Sequence, residues 1–121
     1  MAENDRDLFS RMKKELFSSV IADALDSEGF RNQILRHDIR PLDSDTIVIG
    51  RAMTVLSVDV YTIPDEPYKI ELEAVDALKN NEVLVAQTNG TIRSSLWGEL
   101  LSTAAVYRGA NGAVIDGFTR D

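Results

Sequence analysis

The sequence predicts an α/β fold, on three observations. Short apolar runs rich in β-branched residues, above all EVLVAQT (82–88) and GAVID (112–116), have the length of strands. Other stretches repeat apolar residues every three or four positions, the period of a helix with one buried face. Where one pattern gives way to the next, the chain carries Gly, Asn or Pro, which stop helices and turn chains. A strand, a helix and a strand in that order imply a parallel pair joined by a right-handed crossover.

From Asp7 to Phe30, Phe9, Met12, Leu16, Val20 and Ala24 recur at helical spacing, and Leu8, Phe17, Ile21 and Leu25 widen the stripe. One amphipathic helix is expected there, closed by Gly29. RNQILRHDIRPLDSD (31–45) is polar, contains Pro41 and has no clean period, so it reads as a loop with one short strand around Ile34. TIVIGRAMTVLSVDVYT, from Thr46 to Thr62, reads as two strands or one long strand bent at Gly50, with Pro64 and Pro67 ending it. Ile70, Leu72, Ala74, Val75 and Leu78 predict a helix stopped at Asn80 and Asn81. EVLVAQT follows as a strand, NGTIRSS as a turn, then a helix to Gly109 and the strand GAVID.

At 121 residues the chain is long enough for one domain with its own core. It has no Cys, which excludes disulfides, thiolate metal sites, Fe–S clusters and Cys nucleophiles. Charge begins at Glu3, and no apolar run approaches the about eighteen residues of a membrane span, so a cytoplasmic protein without a membrane partner is expected. A formal net charge of -7 argues against a nucleic-acid partner, which calls for a basic stripe. A small molecule or a protein is the expected partner.

Parallel α/β sheets place ligands at the carboxyl ends of their strands. Two such ends are NGT after EVLVAQT and DGFTRD after GAVI, which lie side by side if their strands are neighbours. The helix between them then aims its N-terminus at the same crevice. Ser94, Ser95 or Gly98 are its possible N-caps. A start at Gly98 leaves the N–H groups of Glu99, Leu100 and Leu101 without intrahelical partners, which suits a carboxylate. Arg120 adds a planar fork of donors for bidentate carboxylate recognition. Glu99 and Asp121 add two acids, and one or two carboxylates with several waters is how proteins hold Mg²⁺.

The closing sequence GELLSTAAVYRGANGAVIDGFTRD, with WG at its start, resembles the RraA-like family, and the resemblance extends through ADALDSEGF, IRPLDSDTIVIGRAMTV and EAVDALKNNEVLVAQTNG. That family includes 4-hydroxy-4-methyl-2-oxoglutarate / 4-carboxy-4-hydroxy-2-oxoadipate aldolases, oxaloacetate decarboxylases and regulators of ribonuclease E activity. Its aldolases carry an acid, twenty intervening residues and then Arg-Asp, a spacing that Glu99 and Arg120-Asp121 meet. The resemblance implies a layered, swivelling β/β/α domain of which this chain holds the N-terminal part. It also implies a homotrimer or hexamer and a divalent-metal-dependent class II pyruvate aldolase acting on a small 2-oxo acid. Asp121 would then ligate Mg²⁺ or Mn²⁺ directly and Glu99 through water, Arg120 would bind substrate and act with Glu99 in catalysis, and Gly98, Leu100 and Leu101 would grip the 2-oxo acid. The family's usual acid at position 99 is Asp, one methylene shorter, a departure that coordination through water could absorb and that bears on metal preference and substrate.

Each of these residues also has a plainer reading. Glu99 suits the helix dipole; Arg120 and Asp121 read as solvated surface charges. Asp116 is a third acid or a turn former before Gly117. His37, the single His, sits in a polar loop, and Trp97 reads as a core or interface anchor. The alternative function is a non-catalytic, protein-binding regulator of the ribonuclease E inhibitor type; the retained Arg-Asp pair favours the enzyme. A methyltransferase finds no support, because no glycine-rich motif follows the first strand.

Overall fold

The computed structural model describes residues 3–121, which form two compact units, one reaching to Ile49 and the other Gly50–Asp121. The first holds α1 (Asp5–Glu15) and α2 (Ser18–Ser27). The Asn4 side chain caps α1 by accepting from the Asp7 N–H at 2.8 Å, with acids in the first turn and Lys13 and Lys14 in the last, both favourable to the helix dipole.

The single helix expected from Asp7 to Phe30 is broken. Leu16 and Phe17 are extended, with ψ of 163° and 165°. Ser18 and Ser19 follow the break, then β-branched Val20 and Ile21, all weaker helix formers than the residues before them. Gly29 does close α2: it stands at φ 89°, its N–H donates to the Asp26 carbonyl, and the Phe30 N–H donates to the Leu25 carbonyl. That 6→1 and 5→2 pair is a Schellman ending, and Gly109 (φ 90°) closes the last helix through the same two bonds. No regular element forms around Ile34.

The second unit carries β1 (Arg51–Leu56), α3 (Lys69–Ala77), β2 (Glu82–Gln87), β3 (Ser95–Trp97), α4 (Glu99–Tyr107), β4 (Gly112–Asp116) and β5 (Phe118–Thr119). Strands β1, β2 and β4 form a parallel sheet in that order, with β2 in the centre. The parallel β2–β4 pair joined through a helix is as the sequence predicts. Neither form expected from Thr46 to Thr62, two strands or one long strand bent at Gly50, is found: β1 covers only the six residues that register against the six of β2, from Arg51 opposite Glu82 to Leu56 opposite Gln87. A strand lasts only as long as its ladder. Among the described residues no helix is long and apolar enough to cross a membrane.

Register explains where the core sits. Met53, Leu84 and Ala113 form one row across the sheet, and Val55, Ala86 and Ile115 a second row on the same face. These rows pack with Val75, Leu78, Trp97 and Ala105 into one apolar cluster. Leu84 and Ala86 on β2 are buried, as the near-continuous apolar run of a central parallel strand requires.

The core-facing line of α3 differs from the expected one. Ala74, Val75 and Leu78 face inward, Ile70 and Leu72 are exposed, and Glu71, one turn before Val75, lines a small apolar pocket with Val55, Leu84, Leu96 and Trp97. Burial raises the Glu71 carboxyl above its ordinary value of 4.5.

The folded state therefore holds the Glu71 proton more tightly than the unfolded chain, and native stability falls as pH rises from the ordinary value through the raised one. Glu71→Gln should match the parent at acid pH and become the more stable of the two as pH rises toward neutrality. Urea unfolding across that range checks this; parallel curves would place Glu71 in solvent. A Cβ on Gly117 would stand 2.6 and 2.7 Å from Oγ1 and Cγ2 of Thr88, a buried β-branched residue with little room to turn. Gly117→Ala should cost about 1–3 kcal/mol in the same measurement.

Candidate functional site

The carboxyl ends of β2 and β4 are tied by one residue. Thr88, 2% exposed, donates to the Asp116 carbonyl from its N–H at 3.2 Å and from its hydroxyl at 2.8 Å. Asn89 (φ 55°) and Gly90 (φ 75°) then turn the chain, as the NGT sequence predicts. The segments that leave the two strands run side by side, joined by a second sheet in which β3 pairs parallel with β5. The sequence gives no sign of that pair, because three residues against two are too few for an alternation to register. The Arg120 N–H continues the pairing to the Trp97 carbonyl at 3.0 Å.

Gly98 is the N-cap of α4, with neither Ser94 nor Ser95 taking that place, and no side chain caps the helix. The orphan donors of the first turn are therefore open to an outside acceptor. At φ −171° Gly98 is in extended backbone that any residue adopts, so the reason for glycine is space. A Cβ here would lie 3.2 Å from both Cγ and O of Arg120 and 3.4 Å from Oδ2 of Asp121. The start of α4 and the Arg-Asp pair thus meet at Gly98.

Of the predicted site residues, Glu99 is in the first turn of α4 and exposed, Leu100 is exposed, and Leu101 is half-buried against the core cluster. Arg120 Nε is 3.5 Å from Asp121 Oδ2, and the side chains are 72% and 51% exposed. An exposed ion pair of this kind contributes little by itself, so either partner can turn to a ligand. Asp116 ends β4, half-buried, and its carbonyl serves Thr88. Trp97 belongs to the buried core. His37 is an exposed turn residue of the first unit.

Two residues that sequence reasoning missed hold this arrangement. Thr88 is one. Ser102 is the other: its hydroxyl donates to the Gly98 carbonyl at 2.9 Å and accepts from the Trp97 indole N–H at 2.8 Å. A serine four residues after an N-cap glycine is the sole sequence signal for it.

Chemically, the site offers helix N–H groups and a guanidinium to an anion, and carboxylates to a cation. Among the described residues no group of three or more His, Cys, Asp and Glu comes together as a metal cage. Mg²⁺ takes one or two carboxylates and keeps several waters, so the donor atoms of Asp121 and Glu99 are of the kind that suits a hard, hydrated cation and not a nitrogen- or sulfur-liganded one.

The family model described as RraA-like, Aldolase/RraA, matches residues 18–121. Protein DlpA of Legionella pneumophila subsp. pneumophila is 31% identical over 108 residues, a stretch covering 86% of this chain and 16% of that protein. A crystal structure described as one of novel cellulases from microbes associated with the gut ecosystem matches with a TM-score of 0.90 at 26% identity, over 100% of this chain and 54% of that one. Streptomyces coelicolor RraAS2, described as an unusual member of the RNase ES inhibitor RraA protein family, matches with a TM-score of 0.77 at 25% identity, over 98% of this chain and 58% of that one. The chain therefore spans a small part of its curated relative and little more than half of these solved structures.

Gly98→Ala should leave the far-ultraviolet circular dichroism unchanged, since its backbone suits any residue, yet displace the Arg-Asp pair. Oxalate binding measured by calorimetry in Mg²⁺ is expected to weaken by about tenfold or more, roughly the free energy of one good hydrogen bond. Equal binding by both proteins would show that the contact at Gly98 does not set the site.

Proposed function

Because the chain belongs to the RraA-like family, we propose that it forms part of one domain of a divalent-metal-dependent pyruvate aldolase. The enzyme cleaves 4-hydroxy-2-oxo acids of the 4-hydroxy-4-methyl-2-oxoglutarate type and also decarboxylates oxaloacetate. The observation that supports this reading is the approach of the Arg120 side-chain stem and the Asp121 carboxylate to Gly98, the uncapped start of α4.

In this reading Asp121 holds Mg²⁺ or Mn²⁺ directly, and Glu99 holds it through water. A bound divalent cation supplies Lewis-acid stabilisation of negative charge growing on the substrate's 2-oxo oxygen. Arg120 grips a substrate carboxylate through two parallel hydrogen bonds. The N–H groups of Leu100 and Leu101 receive the neighbouring oxygens, and Gly98 leaves them room. As the C3–C4 bond breaks, its electron pair passes into the enolate of pyruvate, while the C4 hydroxyl gives its proton to water and becomes a carbonyl. In oxaloacetate the pair is that of the C3–C4 bond, broken as its carboxylate leaves as CO₂, and in both reactions the enolate takes a proton from water at C3 to become pyruvate. The donors at the start of α4 and on Arg120 favour this charge more strongly as it develops, the condition for lowering a barrier. The working assembly is a cytoplasmic homotrimer or hexamer.

A second reading, a protein-binding regulator without catalysis, is favoured by the likeness to RraAS2, whose description names an RNase inhibitor family. The Arg-Asp pair is what a regulator would not need.

The protein carrying this chain in full, loaded with Mg²⁺, should release pyruvate from oxaloacetate and from 4-hydroxy-4-methyl-2-oxoglutarate above the metal-only background, and EDTA should abolish the release. Asp121→Ala should lower turnover by at least about 100-fold with the fold intact. Undiminished turnover would remove Asp121 from the mechanism. No release by the folded, metal-loaded protein would favour the regulator.

A further inference from the structure

Ser102 does something the helix does not ask of it. The N–H of Ser102 already donates to the Gly98 carbonyl at 3.0 Å, so the first turn is closed without the hydroxyl. A serine hydroxyl that bonds back to the carbonyl four residues earlier slightly weakens a helix. Here that hydroxyl is also the acceptor for the indole N–H of Trp97, a core side chain only 8% exposed. Trp97 is therefore held at two points: its carbonyl takes the Arg120 N–H, and its ring is linked through Ser102 to the carbonyl of Gly98.

The Gly98 carbonyl and the Glu99 N–H belong to one planar, trans peptide unit, so fixing the carbonyl fixes the N–H that points the other way. Two donors from Ser102 on that oxygen, one of them steered by Trp97, hold the plane more firmly than the helix bond alone. We infer that Ser102 is a positioning residue for the anion site, its hydroxyl coupling the Trp97 ring to the Gly98 peptide and so aiming the Glu99 N–H, the first free donor of α4, at an anion bound beside Arg120. The inference rests on the proposed reading of that site as an oxo-acid pocket.

The test uses the full-length protein in Mg²⁺ with oxalate, a planar dianion, as the probe in calorimetry, together with oxaloacetate kinetics. Ser102→Ala should raise the oxalate Kd and the oxaloacetate KM about tenfold, the equivalent of about 1.4 kcal/mol, with kcat changed less than about threefold. Ser102→Thr, which restores the hydroxyl, should stay within about threefold of the parent. Ser102→Ala that binds oxalate as the parent does overturns the inference, even if its melting temperature falls, because the hydroxyl then serves stability alone. Should Ser102→Ala not fold, Trp97→Phe keeps a ring and removes the donor; unchanged oxalate affinity there overturns the inference, and a severalfold loss supports it. A parent that binds no oxalate overturns it as well. A parent that binds oxalate in a Ser102-dependent way yet releases no pyruvate sinks the lyase reading and supports this one.

Discussion

Two parallel ladders meet on β2, and the site follows from where they stop. Because β1 and β4 run the same way as β2, their carboxyl ends emerge along one edge, at Leu56, Gln87 and Asp116. The chain that leaves β2 and the chain that leaves β4 start as neighbours, and Thr88 fastens them with two bonds to one carbonyl. From that fixed point β3 and β5 have only to continue in step for Arg120 to reach Trp97 and for Gly98 to meet the Arg-Asp pair. An antiparallel pair would send the two segments to opposite edges.

The elements legible in the sequence are those whose own residues decide them. β2 and β4 are dense apolar runs between turn residues, and α4 begins and ends on glycines that do what their positions ask. The illegible ones are decided by partners. β1 is shorter than its β-branched sequence because β2 offers six residues to pair with. β3 and β5 exist only because they lie together. The apolar stripe from Leu8 to Leu25 is regular, yet the two extended residues at Leu16 and Phe17 divide it, and periodicity carries no record of such a break.

The same division runs through the site. Glu99, Arg120 and Asp121 stand out in the sequence through their chemistry and through the spacing of the family they resemble, whereas the start of α4 is open there between Ser94, Ser95 and Gly98 and is settled only by the fold. Thr88 and Ser102 do not stand out, since a threonine after a strand and a serine inside a helix are ordinary until their acceptors are known. Glu71 was hidden by the opposite fault. Its neighbours Ile70 and Leu72 suggest an inward face that the helix turns toward solvent, leaving the acid beside Leu84 and Trp97.

The two residues of β5 are exposed and pair with β3, outside the three-stranded sheet. Native proteins open in parts, and a part held by few hydrogen bonds and little buried apolar surface opens at lower free energy than the core. Arg120 and Asp121 follow directly on β5, so the segment that carries them is held at fewer points than β2, which is paired on both sides. A ligand bridging the start of α4 and Arg120 would be bound by a locally fluctuating lip on a rigid frame, and part of its binding energy would be spent in quieting that lip. Amide exchange among the paired strands should accordingly be graded, faster in the segment that leads to the Arg-Asp pair than in the strand from which it is ultimately hung.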